Sequence, residues 1–156
     1  APGRAHRSLK SYNNHVGVPL SLARMPQGTR FGVFEMGMNH AGEIALLTRL
    51  VRPHIAIVTW VTSAHIEFFA NEEGIADAKA EIFQGLEPGG TAILPRDNRH
   101  FERLLAAARL HADRIVTFGR SDDADVRALE AMRVQAGQFV TARVGRRELS
   151  FTLAQP

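Results

Sequence analysis

The sequence predicts an α/β fold in which a doubly wound, mostly parallel sheet is followed by a small antiparallel meander. Three observations carry this. Across residues 31–119, short apolar and β-branched runs alternate with amphipathic stretches, and the connections between them are brief. Near Ala131 the pattern changes to three alternating runs, M-R-V-Q-A, Q-F-V-T-A-R-V and R-E-L-S-F-T-L, separated by Gly137 and by Gly145-Arg146. Residues 58–83 join an apolar run, a polar loop carrying His65 and Glu67, and a helical pattern that contains Lys79. In an open parallel sheet, ligands gather beyond the carboxyl ends of the strands, so that loop is where chemistry is expected. The parallel part is placed at about residues 8–130 and the meander at about 131–154.

Residues 1–15 read as polar and irregular, ending in S-Y-N-N-H. Gly17-Val18-Pro19 introduces one or two apolar helical turns, since proline suits a first turn. By position alone, Asn13 and Asn14 are a turn and an N-cap. Residues 31–37, F-G-V-F-E-M-G, form a strand ending in one carboxylate, Glu35. Buried unpaired it would be costly, so it faces solvent or meets a cation. G-E-I-A-L-L-T-R-L-V is an amphipathic helix with Glu43 in its first turn, where the dipole favours an acid, and Pro53 closes it. Residues 54–62 are almost continuously apolar, as expected of a strand covered on both faces, with Trp60 in the core. After the helix containing Lys79, Glu87-Pro-Gly-Gly90 is a stop. A T-A-I-L strand, a P-R-D-N loop, a helix over about 99–111 and an R-I-V-T-F strand ending at Gly119 complete a β-α-β-α-β-α-β order with right-handed crossovers.

At 156 residues, 45% hydrophobic and 22% charged, the chain can bury one sizeable core. It has no cysteine, which excludes disulfides and thiolate metal sites. No apolar run approaches the roughly 20 residues of a membrane span. The basic first ten residues lack the apolar core of a signal peptide, so a cytoplasmic location and no membrane partner are expected. A net charge of +3 with a pI near 10.2 reflects arginine dominance. No basic patch is interleaved with aromatics, which argues against a nucleic-acid partner.

Of 19 basic side chains, only Lys10 and Lys79 are lysine. Arginine cannot lose its proton, whereas a desolvated lysine can and is then a nucleophile. A neutral Lys79 could take up carbon dioxide and become a carbamate, a negatively charged metal ligand. Holding it neutral near pH 7 needs a downward shift of about three units, roughly 4 kcal/mol, unless a cation captures the carbamate. The plainer alternative is a lysine reaching water between Asp77 and Glu81. Glu35, His65 and Lys79 thus offer a carboxylate, an imidazole and a carbamate, which suits a magnesium site beside a phosphate-bearing substrate. The phosphate cradle G-x-x-x-x-G-K-[ST] is missing. Its nearest match, Gly85 to Gly90 followed by Thr91, lacks the lysine and leads from a helix into a strand.

In order along the chain, S-Y-N-N-H-V-G-V-P-L, F-E-M-G-M-N-H-A-G-E-I, T-S-A-H-I-E-F-F and A-K-A-E-I-F resemble the central domain of the Mur ligases, over nearly the whole chain. The resemblance implies an ATP-dependent amide ligase of peptidoglycan synthesis that works through an acyl phosphate. N-H-A-G-E-I points to the branch that adds D-alanyl-D-alanine to a UDP-N-acetylmuramoyl-tripeptide. Position by position, it makes Glu35 and His65 magnesium ligands and Lys79 a carbamylated ligand, the three together forming the catalytic set. It places Asn13, Asn14, Asn39 and His40 on the substrate cleft, and Asp97 and Asn98 beside the nucleotide. Pro95 stands where the family often has an adenine-contacting asparagine. Such ligases have three domains. The expectation is therefore a partial central domain without its phosphate loop or its amino- and carboxyl-terminal partners, which alone neither binds ATP well nor ligates. Other readings are a ligase of the same family adding a different amino acid or glutamate to folate, a carbamylated-lysine hydrolase, and a non-catalytic α/β scaffold. A hydrolase of that kind needs several converging histidines, and only His65 is well placed.

Overall fold

A computed structural model describes residues 4–8, 11–64, 66–135 and 137–154. Its strands are β1 (Ala5–Arg7), β2 (Phe31–Val33), β3 (Ile55–Ile57), β4 (Thr91–Pro95), β5 (Arg114–Gly119), β6 (Val126–Val134), β7 (Gly137–Val144) and β8 (Arg147–Ala154). Its α-helices are α1 (Gly17–Ala23), α2 (Glu43–Val51), α3 (Glu72–Ala80) and α4 (Phe101–Ala108), with 3-10 turns at Ile66–Phe68 and Glu81–Gly85. The strands form a six-stranded sheet in the order β3-β4-β5-β6-β7-β8 and a separate β1-β2 pair. Pairing is parallel from β3 to β6 and antiparallel from β6 to β8.

Each element has a local cause. Asn14 Oδ1 accepts from the amides of Val16 and Gly17 at 3.1 and 2.9 Å, so it opens α1 as the turn-and-cap reading predicts. Asn71 caps α3 by accepting from the Gly74 amide at 2.9 Å. The core lies where α3, the turn after it and α4 cover β4. Ile75, Phe83, Leu94 and Leu104 are fully buried there, each contributing about 1.5–3 kcal/mol of burial. Asp77 takes both of its bonds from Arg103 of α4, at 2.9 and 3.0 Å. The turn at Glu81–Gly85 lies close on α2. Thr48 Oγ1 donates to the Ile82 carbonyl at 2.7 Å, and a Cβ on Gly85 would stand 2.4 Å from the Thr48 carbonyl oxygen.

Several expectations need correction. Phe31–Val33 pairs with Ala5–Arg7 rather than with β3, so a strand occurs where the sequence reads as irregular: three residues are too few for a period to be visible. The strand expected over residues 54–62 is regular only over Ile55–Ile57 and lies at the sheet's edge. Ala56 and Val58 face the core, while Ile55 and Ile57 are exposed. Trp60, expected in the core, is 47% exposed because it lies beyond the last β3–β4 pair. The meander's first strand begins at Val126, because V-R-A-L-E first extends the parallel sheet by pairing Phe118 with Val126. A register shift between Ala128 and Glu130 then precedes the antiparallel run.

Candidate functional site

The clearest constellation lies between α1 and α2. Glu35 follows β2 and is exposed, with its carboxylate held by a bond from Asn13 Nδ2 to Oε1 at 2.9 Å. Its amide donates to Ser8 Oγ at 3.4 Å. Asn13 is fixed in turn by its carbonyl, which accepts from the Gly37 amide at 2.8 Å. A Cβ on Gly37 would stand 2.7 Å from Asn13 Nδ2, so the absence of a side chain there is what lets the asparagine reach Glu35. The two amides of N-N therefore divide the work, Asn14 opening α1 and Asn13 orienting the carboxylate.

The N-H turn is held by the helix that follows it. Glu43 Oε2 accepts from the Asn39 amide at 2.7 Å and from the His40 amide at 3.3 Å, and Oε1 lies 3.3 Å from His40 Nδ1. The Asn39 bond above all holds the Glu43 carboxyl below its usual range. The His40 ring also lies 5.6 Å from that of Phe68, which joins this turn to the loop after β3. Asn14, His15, Gly37, Asn39, Glu43, Leu46 and Leu47 line a cleft of about 360 Å³. An adjoining space of about 160 Å³ adds Asn13 and Met38. Asn13, Asn14 and Asn39 thus come together on one cleft, with His40 anchored beside Asn39. His15 and the two leucines are additions; they lie in ordinary helix and turn context, which carries no signal in the sequence.

Lys79 sits on the covered side of α3. Its neighbours one turn away, Ile75, Ala76 and Phe83, are fully buried. Desolvation lowers its pKa from the ordinary lysine range. The two acids expected to flank it are engaged elsewhere: Asp77 with Arg103, and Glu81 with the amides of Gly42 and Ala45 at 2.6 and 3.1 Å. Among the described residues, no carboxylate makes an ion pair with Lys79. His65 lies outside the described residues, and Glu67 is exposed in the neighbouring 3-10 turn.

Asp97 and Asn98, expected beside a nucleotide, bond to the protein itself. Asp97 accepts from the Arg120 amide at 2.5 Å, from the Ser121 amide at 3.0 Å and from the Ser121 hydroxyl, bonds that hold its carboxyl below the usual range, the Ser121 hydroxyl most of all. Gly119 leaves the room, since a Cβ there would meet Asp97 Oδ2 at 2.6 Å. Asn98 is 4% exposed; its Nδ2 donates to the Val61 carbonyl at 2.8 Å and its Oδ1 accepts from the His100 amide at 3.0 Å. It therefore pins the segment after β3 to the loop after β4.

The donor chemistry fits a hard cation in part. An ionised carboxylate offers about four lone-pair positions, and Asn13 uses one of those on Glu35. A protonated lysine is no ligand, so Lys79 fits only as its carbamate. Among the described residues no three His, Asp or Glu side chains cluster in a way that would hold a metal without it.

The sequence profile of the Mur ligase middle domain matches residues 2–154. The chain belongs to the Mur ligase middle-domain family. A UDP-N-acetylmuramoyl-tripeptide–D-alanyl-D-alanine ligase of Bacillus subtilis is 35% identical over 140 residues, 90% of this chain and 29% of that protein. The crystal structure of MurF from Acinetobacter baumannii superposes with a TM-score of 0.87 at 28% identity, over 96% of this chain and 32% of the other. The MurF ligase of Thermotoga maritima in complex with ADP shares the fold, with a TM-score of 0.81 at 22% identity, over 97% of this chain and 34% of the other. This Mur ligase domain thus spans about a third of the length of its relatives, and its parallel sheet with an antiparallel extension is the family's.

Proposed function

We propose that the chain is the catalytic middle portion of an ATP-dependent ligase joining D-alanyl-D-alanine to a UDP-N-acetylmuramoyl-tripeptide through an acyl phosphate. The supporting observation is the 35% identity to a ligase of that name over 90% of the chain. Of the residues that carry the resemblance, Asn13, Asn14 and Asn39 line one cleft and its adjoining space, Glu35 is oriented by Asn13, Asn39 and His40 are held by Glu43, and Lys79 is desolvated with no anionic partner among the described residues.

In this reading Glu35, His65 and the carbamate of Lys79 would hold Mg²⁺. When bound, that ion would supply neutralisation of the charge on the transferred phosphoryl group. The protein's own groups do the positioning. Asn13 keeps Glu35 aimed, and Glu43 presents the Asn39–His40 turn to the substrate cleft. Burial of Lys79 favours its neutral amine, the form that reacts with carbon dioxide. Asp97 acts beside the nucleotide by joining the loops after β4 and β5, and Asn98 by pinning the segment after β3 to the loop after β4, since both side chains already bond to the protein. Work in the cytoplasm is part of the same proposal.

Isothermal titration with Mg²⁺ and a non-hydrolysable ATP analogue tests this. Two proteins are compared: this chain, and the chain extended by the region that precedes the matched segment in the Bacillus subtilis ligase. Binding by the extended protein, lost on Glu35→Gln, is expected. If neither protein binds, the ligase reading and its metal assignment fall, and a non-catalytic scaffold becomes the better description.

A further inference from the structure

The segment bearing Lys79 is tied to the segment bearing Asn39 and His40, and the tie runs through one carboxylate. Glu81 stands two residues beyond Lys79, where α3 passes into its 3-10 turn. Its Oε1 accepts from the Gly42 amide at 2.6 Å and its Oε2 from the Ala45 amide at 3.1 Å, across 39 and 36 residues of sequence. Among the described residues no basic side chain pairs with Glu81, so the positive end of α2 is its electrostatic partner. Glu43 turns back from the same helix end to the amides of Asn39 and His40. Two carboxylates from different elements thus hold four amides of one short stretch. Below them, the Thr48–Ile82 bond and the approach of Gly85 to Thr48 keep α2 and the turn in contact.

We infer that Glu81 is a positioning residue that sets Lys79 relative to the Asn39–His40 turn. This rests on the reading above, in which Lys79 and that turn serve one ligase site. Reaction between bound groups is sensitive to displacements of about 1 Å, so a rigid link from α3 to the turn matters for chemistry as well as stability. Without the Glu81 carboxylate, the Gly42 and Ala45 amides turn to water. The Glu43-held turn then loses its fixed distance from α3.

The test uses the ¹⁵N-labelled chain as wild type, Glu81→Ala, Glu81→Gln and Thr48→Val. Amide exchange is read at Asn39 and His40, which Glu81 does not touch, and carbamate formation at Lys79 is read by carbon NMR with ¹³C-bicarbonate and Mg²⁺. Glu81→Ala is expected to speed exchange at Asn39 and His40 about tenfold, the loss of roughly one bond to a charged group, and to cut the carbamate signal severalfold. Glu81→Gln, which keeps one accepting oxygen, should fall between Glu81→Ala and wild type, and it remains informative if the alanine variant does not fold. Thr48→Val loosens the same contact elsewhere and should lower stability without either effect. Exchange that quickens only at Gly42 and Ala45 would make Glu81 a local helix cap and overturn the inference. So would equal effects of Thr48→Val and Glu81→Ala, or a carbamate signal that Glu81→Ala leaves intact. A wild-type chain that forms no carbamate overturns the reading of Lys79 itself, and the catalytic consequence given to Glu81 goes with it.

Discussion

Lys79 is held where a charged amine is disfavoured, with buried apolar neighbours and its flanking acids bonded elsewhere. Its pKa in the folded chain lies below the unfolded value, so the folded state releases this proton first. Stability therefore rises with pH across the interval between the two values, and below that interval the burial cost stands in full. Lys79→Met should stabilise the chain near neutral pH by a few tenths to about 1 kcal/mol and flatten the alkaline rise. Urea denaturation in carbon dioxide-free buffer reads both, and a destabilised Lys79→Met would mean the amine is well solvated. Gly37 makes the complementary case. A methyl group there displaces the end of Asn13's side chain rather than backbone, so Gly37→Ala should cost only about 1 kcal/mol. The same substitution should sharply weaken any Mg²⁺ affinity that depends on an aimed Glu35, and titration of the extended protein would register this. Unchanged affinity would remove Asn13 from the site.

At the scale of elements, the loops after β4 and β5 are joined by Asp97, which accepts three bonds from Arg120 and Ser121. Its folded-state pKa is depressed, so its contribution is present above the ordinary aspartate value near 4 and lost as pH falls through the still lower folded value. Denaturation midpoints followed downward in pH should drop more steeply for wild type than for Asp97→Asn, whose acid limb is expected to be flatter; parallel limbs would show that Asp97 carries no such linkage. This job was not legible in P-R-D-N, because its partners lie more than twenty residues away. The same holds for Asn98, whose burial depends on the Val61 carbonyl, and for Glu81. What the sequence did reveal was local. Asn14 as a cap, Glu43 in a first turn, Gly90 at a stop and the period-two runs of the meander are each decided within a few residues. Sheet membership is not, which is why β1 escaped notice and β3 looked central.

For the whole molecule, the distribution of burial predicts an order of opening. Ala92 of β4 is fully buried and paired on both sides, and Leu94 is fully buried and paired with β5, whereas β1 and β2 meet only each other over three residues and β8 is exposed along its length. Native-state hydrogen exchange should rank β4 and its partner β5 slowest, with β1, β2 and β8 near the fast limit. Uniform protection across both sheets would contradict that order. The family and the alternating architecture could both be read from the chain, since motifs survive in one dimension; the grouping of strands into sheets needed three. The scarcity of lysine has one more consequence at this scale. With 17 arginines and two lysines, an amine-selective acylating reagent meets two lysine amines in the sequence, and peptide mass separates Lys79 from Lys10. The rate at which the Lys79 peptide gains mass is then a clock for its free amine. Slowing of that clock under dissolved carbon dioxide, reversed on degassing, would time the arrival and departure of a one-carbon cap on a single atom.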